Sequence, residues 1–302
     1  MKSFPFKKID AFTNGSSARN PCACIYLKNP GEISHAEMQQ IAAELKGFVN
    51  EVVYLVPENK SFFLKYYSAE SEVDFCGHGT IGVMYDLIKS HRCLMNQRTI
   101  EIRVKDTYLS VYNKIEKSDS VFITAPTARY NKLLLNGEEI AKALKIDIKE
   151  ILDNIKPDLI NAGLNTLIVP IKTLESCLSL FPDEIALKEF CLKNGLDIIL
   201  VFTDEVADCG NKYRTRVFAP KYGYLEDPAT GSGNAAFGYY LLRNKLWAGD
   251  DLSIEQGSRR SSPNIVKLAT VQDGERKTVI FGGSAVVKIE GSYTLSPQPT
   301  DS

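Results

Sequence analysis

Two glycine-bounded turns, each opening a run of apolar residues, constrain this chain more than any other feature. The first is Cys76-Gly77-His78-Gly79-Thr80, ahead of the run Ile81 to Ile88. The second is Thr230-Gly231-Ser232-Gly233-Asn234, ahead of Ala235 to Leu242. A helix that is apolar on all sides belongs in an interior. Setting Gly77 on Gly231, an offset of 154, places Gly79 on Gly233, Tyr85 on Tyr239 and Leu87 on Leu241. An offset near half of the 302 residues is what duplication of one domain-sized unit predicts. Chance recurrence of Gly-x-Gly before a helix is the competing reading. Two halves, each with strands wrapped around a central helix, satisfy the pattern.

The remaining elements fit such halves. Strands are expected over Phe6 to Thr13, Ala23 to Leu27, Glu51 to Val56, Phe62 to Tyr67, Thr99 to Val104, Leu109 to Tyr112 and Ser120 to Thr124, with a turn at Asn14-Gly15-Ser16-Ser17. Ser34 with Glu37 three residues on is a capping-box start for a helix carrying Met38, Ile41, Ala42 and Leu45. Ala125-Pro126-Thr127 reads as a crossing point. Beyond it, strands over Leu167 to Ile171 and Asp197 to Thr203 flank a helix at Glu184 to Asn194, and Arg214 to Phe218 is a strand. Closing strands are expected around Val266 to Val271, Val279 to Phe281 and Ala285 to Ile289. The expected domains are therefore residues 1–126 plus 288–302, the latter a returning C-terminal strand, and residues 127–287.

Composition narrows the class. Hydrophobic residues make up 44% and charged residues 24%, which excludes a disordered chain. With 36 basic and 37 acidic residues, no global field favours nucleic acid or an anionic membrane. No run approaches the ~18 apolar residues of a membrane helix. The N-terminus lacks the apolar stretch of a signal peptide, so a cytoplasmic location is expected. Seven scattered cysteines suit reduced thiols better than a disulfide framework. Cys22-x-Cys24 sits in an apolar run and reads as a pair of buried thiols; no metal site is expected, since zinc usually needs three or four clustered ligands.

Each glycine turn places unpaired N–H groups and a partial positive charge at a helix start, a site for a carboxylate or phosphate. Gly231-Ser232-Gly233-Asn234-Ala235-Ala236 imitates a dinucleotide fingerprint, but it follows Glu226-Asp227-Pro228 rather than an apolar strand, so nicotinamide or flavin binding is not expected. His78, at a helix start, reads as a neutral imidazole able to hydrogen-bond a substrate, or as a capping or surface histidine. Asp227 reads as a turn residue and Ser232 as an N-cap. Glu51 opens the apolar strand Val52-Val53-Tyr54-Leu55-Val56; burial would raise its pKa toward general acid/base work, whereas pattern alone favours a charge at a strand end.

A resemblance alters that balance. Asp10-Ala11-Phe12-Thr13, Asn20-Pro21, Asn50-Glu51, Glu72-Val73-Asp74-Phe75-Cys76-Gly77-His78-Gly79-Thr80 and Asp227-Pro228-Ala229-Thr230-Gly231-Ser232-Gly233-Asn234 occur in this order. Together they resemble the phenazine-biosynthesis isomerase (PhzF-like) family of the diaminopimelate epimerase-like superfamily, over nearly the whole chain. The resemblance implies an α+β fold of two similar domains, each a barrel-like sheet around a central helix, with the active site in the cleft between them and no cofactor. It implies that Glu51 moves a proton on a small carboxylate substrate, for which a dihydro-hydroxyanthranilate-like ring is the candidate. His78, Asp227 and Ser232 would bind and orient substrate, and backbone N–H groups around Gly77, Gly79, Gly231 and Gly233 would hold its carboxylate. A homodimer is the expected assembly, with no nucleic-acid or membrane partner.

Three departures bear on the substrate. Arg19 stands where the family often has glycine before Asn-Pro, Gly79 stands for the common alanine, and Asn50 stands for the usual serine. A two-base epimerase or racemase of the same fold is the main alternative. It needs a thiol at each turn, and Thr230 occupies the place that matches Cys76. A small-acid binding protein that has lost catalysis is the third reading.

Overall fold

The computed structural model describes residues 1–13, 15, 20–274 and 276–296. The expected turn at Asn14 to Ser17, apart from Gly15, falls outside them, as do Arg19 and the last six residues. The described residues form two compact units. One runs from the N-terminus to Ile123 and includes the segment from Gly283 onward; the other comprises Thr124–Gly282.

In chain order the first unit begins with β1 (Lys2–Ala11), β2 (Asn20–Tyr26), α1 (His35–Glu44), β3 (Glu51–Pro57), β4 (Phe62–Ser68), β5 (Glu72–Val73) and α2 (Gly77–Ser90). The short α3 (Arg92–Met95), β6 (Thr99–Val104), β7 (Thr107–Asn113), the short α4 (Ile115–Ser118) and β8 (Val121–Thr124) follow. The second unit holds β9 (Arg129–Asn131), α5 (Gly137–Leu144), β10 (Asp158–Asn161), β11 (Asn165–Pro170), α6 (Leu174–Ser179), α7 (Glu184–Lys193), β12 (Ile198–Thr203), β13 (Tyr213–Phe218) and β14 (Glu226–Asp227). It closes with α8 (Gly231–Arg243), β15 (Leu252–Gln256), β16 (Asn264–Asp273) and β17 (Arg276–Gly283); β18 (Ala285–Leu295) then returns to the first unit.

The two sheets share one wiring. In the first unit the strand order is β18-β1-β2-β3-β4-β6-β7-β8, antiparallel except for β2/β3 and β4/β6, with β5 beside β4. In the second it is β9-β10-β11-β12-β13-β15-β16-β17, antiparallel except for β11/β12 and β13/β15, with β14 beside β13. The duplication inferred from the glycine turns is thus present strand by strand. The offset of 154 also places β5 on β14, Glu72-Val73 onto Glu226-Asp227.

A central helix explains the apolar runs. In α2, nine of fourteen residues are buried, packed on β1, β2, β3 and β18. In α8, ten of thirteen are buried, against β10, β11, β12 and β16. Gly82 brings α2 close to its sheet, since a Cβ there would lie 3.2 Å from Cys22 Sγ. Around the second sheet, α5 and α7 cover the other face and complete a core of Ile140, Leu144, Leu167, Val169, Leu187 and Val201. The capping box at Ser34 and Glu37 is formed, with α1 starting at the next residue. Cys22 and Cys24 are fully buried, as their spacing in an apolar strand predicts.

Candidate active site

Glu51 is the first residue of β3, held between Cys22 of β2 and Ser68 of β4. The preceding residue fixes its entry: Asn50 N donates to Pro21 O at 3.2 Å, and Asn50 Nδ2 donates to Asn20 Oδ1 at 2.9 Å. Asn50 and the Asn20-Pro21 pair therefore act as one clamp behind the glutamate. Cys76 is the N-cap of α2, accepting from Gly79 N at 3.3 Å. His78 is the second residue of that helix. Its Nδ1 lies 3.4 Å from Cys76 Sγ and its Nε2 3.1 Å from Glu51 Oε2. Glu51 Oε2 is buried, and no N–H or O–H is aligned on it for a hydrogen bond; the His78 contact is an ion-pair approach without that alignment.

The charges follow from this crowding. Burial pushes the Glu51 carboxyl up, but the His78 charge and the close polar contacts with His78 and Cys76 outweigh it, and the net shift is downward. Burial opposes the His78 imidazolium, yet the Cys76 sulfur and Glu51 carboxylate hold it well above its ordinary range. Cys76 itself is pushed up by burial, against the pull of His78. Two expectations are corrected here. A helix start was expected to keep His78 neutral, and burial to raise Glu51; a carboxylate and an imidazole in contact reverse both directions.

The second turn is built from amides. Gln256 of β15 accepts from Thr230 N at 3.0 Å and from Asn234 Nδ2 at 2.7 Å, and it donates to Asp227 O at 2.9 Å and Thr230 Oγ1 at 3.1 Å. Thr230 Oγ1 donates to Asp227 Oδ2 at 2.7 Å, and Ala229 N donates to Asp227 Oδ1 at 3.3 Å. Asn264 Nδ2 donates to Pro228 O. Thr230 makes no side-chain cap to α8. Ser232, half-buried, occupies the position in α8 that His78 occupies in α2. Gly231 has no alternative: a Cβ there would stand 2.2 Å from the Phe281 ring. At Gly79 a Cβ would stand 2.8 Å from Val53 Cγ2 and 3.0 Å from Cys76 Sγ, so glycine suits this close approach.

The structure thus joins Glu51, Cys76 and His78 in one unit. Within the other, Asp227 and Gly231 belong to one braced turn that continues into Ser232 and Gly233. Sequence reading missed Gln256, and it named Asn50 without its clamp on Asn20-Pro21. The signal for Gln256 was a polar pair, Glu255-Gln256, ending an otherwise alternating strand. The remaining histidines serve other contacts: His35 meets Tyr67, and His91 Nδ1 lies 2.8 Å from Leu87 O.

Two glycine-opened central helices inside duplicated sheets define the diaminopimelate epimerase-like fold. A hydroxyproline epimerase from Agrobacterium vitis, solved with bound trans-4-hydroxy-L-proline, shares it at a TM-score of 0.58 and 12% identity, over 97% of this chain and 91% of that one. Within this fold the chain belongs to the phenazine biosynthesis-like protein family, whose family model matches residues 9–291. A Bacillus anthracis phenazine biosynthesis protein of the PhzF family aligns at a TM-score of 0.84 and 24% identity, over 97% of this chain and all of that one. The Bacillus subtilis protein named uncharacterized isomerase YfhB is 26% identical, over 95% of this chain and 97% of that protein. No helix among the described residues is long and apolar enough to cross a membrane.

Proposed function

We propose that this protein is an isomerase that moves a proton on a small carboxylate substrate, with Glu51 as the general acid/base. Membership of the family and the isomerase relatives support the class of reaction. The observation that carries the role of Glu51 is a carboxylate oxygen buried without an aligned hydrogen bond, 3.1 Å from a histidine nitrogen and beside a helix start. A carboxylate kept ionised is ready to accept a proton from carbon, and His78 offsets its charge while it waits. Once protonated, the same group returns the proton at a second carbon, so no other base is required. The N–H groups at the start of α2, around Gly77 and Gly79, would attract the substrate's carboxylate through the helix dipole. On the same reading the turn from Asp227 through Gly231, Ser232 and Gly233 contributes to substrate binding, and Asp227 acts by holding Thr230.

A thiol-based, two-base mechanism fits less well. The partner thiol it needs is replaced by Thr230, whose hydroxyl donates to Asp227 Oδ2 at 2.7 Å. A hydroxyl so engaged is a poor base. Acids of the dihydro-hydroxyanthranilate type are the first substrates to try.

The test is solvent-deuterium exchange into candidate acids. Glu51→Gln should lower exchange by at least the ~10²-fold expected for loss of a general acid/base, while Cys76→Ser costs much less. Exchange abolished by Cys76→Ser and retained by Glu51→Gln would replace this reading with the thiol-based epimerase. Binding of acids without any label in carbon would favour a binding protein.

A further inference from the structure

The offset of 154 that relates the two units also relates the far ends of their central helices, setting Tyr85 on Tyr239 and Lys89 on Arg243. In the first unit the Tyr85 hydroxyl donates to Asp119 Oδ1. Lys89 Nζ donates to that hydroxyl at 2.7 Å and lies 3.5 Å from the same carboxylate. Asp119 follows the short α4, inserted between β7 and β8, and turns there in the left-handed conformation at φ 46°. The chain thus supplies its own anion at the end of α2.

The second unit has no matching insertion: β16 ends at Asp273 and β17 starts at Arg276. Arg243 turns elsewhere, to Asp158 Oδ2 at 2.9 Å and to the Tyr130 ring, 4.7 Å from its centroid. Tyr239 OH accepts from Val279 N at 3.4 Å, and no acceptor among the described residues is aligned on its hydrogen. Beside it lies a cavity of about 940 Å³, a size that small ligands fill. Lys245, Arg276 and Lys277 line it, and no carboxylate among the described residues does. Lys277 donates to Ala248 O at 2.6 Å, whereas Lys245 and Arg276 have no ion-pair partner among the described residues. Leu246 and Trp247 give the cavity an apolar side. The negative end of the α8 dipole opposes an anion here, as that of α2 opposes Asp119, but full positive charges outweigh a partial one.

We propose that this cavity binds a small organic acid with an apolar body. Its carboxylate meets Tyr239, Lys245 and Arg276, taking the part that Asp119 plays in the first unit, and its body lies on Trp247. The site is at the C-terminal end of α8, about 18 Å along the helix from the Gly231 turn. It is therefore separate from the turn proposed to bind substrate, and it does not rest on the role proposed for Glu51.

The experiment uses the full chain with benzoate as the probe. Trp247 is the chain's only tryptophan, so indole emission reads this cavity directly. Benzoate should change that emission saturably, with a single dissociation constant. Benzamide keeps the ring without the charge, and acetate keeps the charge without the ring. Each should bind at least about 10-fold more weakly than benzoate. Lys245 and Arg276 are exposed, so replacing both by glutamine should leave the fold intact while weakening benzoate by about 10-fold or more. Removing two charges elsewhere on the same unit, by Lys142→Gln with Lys188→Gln, should change the affinity by less than about twofold, because salt screens distant charges. Emission that only falls linearly with benzoate overturns the site. So does benzamide or acetate binding as tightly as benzoate, or an unchanged affinity in the Lys245→Gln, Arg276→Gln protein.

Discussion

The same register position is filled in opposite ways in the two units. In the second, Arg214 of β13 faces Glu255 of β15, both with fully buried side chains, at 2.9 Å. Glu255 also accepts from Ala207 N, Asp208 N and Asn211 Nδ2, and Arg214 donates to Gly257 O. In the first unit the matching pair is Phe63 of β4 and Arg103 of β6, with the guanidinium 3.8 Å above the ring and paired to a partly exposed Glu58. One residue further along β15, Gln256 braces the second turn; its counterpart on β6, Val104, is apolar. The unit that carries Glu51 and His78 has its charge at the turn. The other has a charge pair locked behind the turn, and within it the Asp227 carboxylate held by Thr230 and Ala229 beside the Gln256 and Asn234 amides. Duplication preserved the backbone plan while burial decided where each copy can keep ions: a charge is tolerated in the interior only where partners surround it.

The largest effect should come from cutting the buried pair. Arg214→Met leaves Glu255 ionised in the interior and should cost about 3–5 kcal/mol in denaturant unfolding. Arg103→Met should stay within about 1 kcal/mol, as half-exposed pairs do. Equal losses would show that the two positions are not physically distinct. Next, Gly231→Ala drives a methyl into Phe281 and should cost about 1–3 kcal/mol. Gly79→Ala, meeting Val53 Cγ2 at 2.8 Å and Cys76 Sγ at 3.0 Å rather than an aromatic ring at 2.2 Å, should cost less. Gln256→Leu leaves Thr230 N and the Asn234 amide without their acceptor and should cost about 1–3 kcal/mol, whereas Val104→Ala should follow only lost packing.

The smallest and most diagnostic effect is in pH. Glu51 has a lowered folded pKa, so its stabilisation is present above the unfolded value of ~4.3 and is lost as pH falls through the folded one. His78 has a raised folded pKa, so its stabilisation is complete below the unfolded value of ~6.5 and is lost as pH rises through the folded one. Both contributions are present together between about pH 4.5 and 6.5. In His78→Gln the alkaline decline should disappear from thermal-unfolding profiles. A profile unchanged by that substitution would show that the first turn carries no ion pair.

How much of this was legible in the sequence depends on what set each feature. Elements fixed by local pattern were readable: the Ser34 capping box, the strand Thr99–Val104 and the two central helices. Glycine turns lie within a few residues of the helices they open, so their chemistry could be found. Features fixed by distant partners were hidden. Arg214 and Arg216 lie in a strand read from the sequence without its partners, and both are buried, Arg216 by Glu226 and by the carbonyls of Cys177, Leu178 and Leu180. The helix Gly137–Leu144, with its own capping box at Asn136 and Glu139, was missed although its signal was local. The charge states of Glu51 and His78 depend on a contact across 27 positions of sequence, which no local rule supplies.

The wiring of β18 also bears on the order of assembly. Every strand of the second sheet lies within one continuous stretch, 129–283, whereas β1 pairs with Ala285–Leu295, register-matched from Ala11↔Ala285 to Lys2↔Leu295. On a ribosome the second unit can therefore close while the first still lacks an edge, leaving the outer rim of β1 unpaired until β18 has been made. An open strand edge is a template for wrong pairing. The nascent protein is thus exposed to misassociation along β1, and β18 ends that exposure.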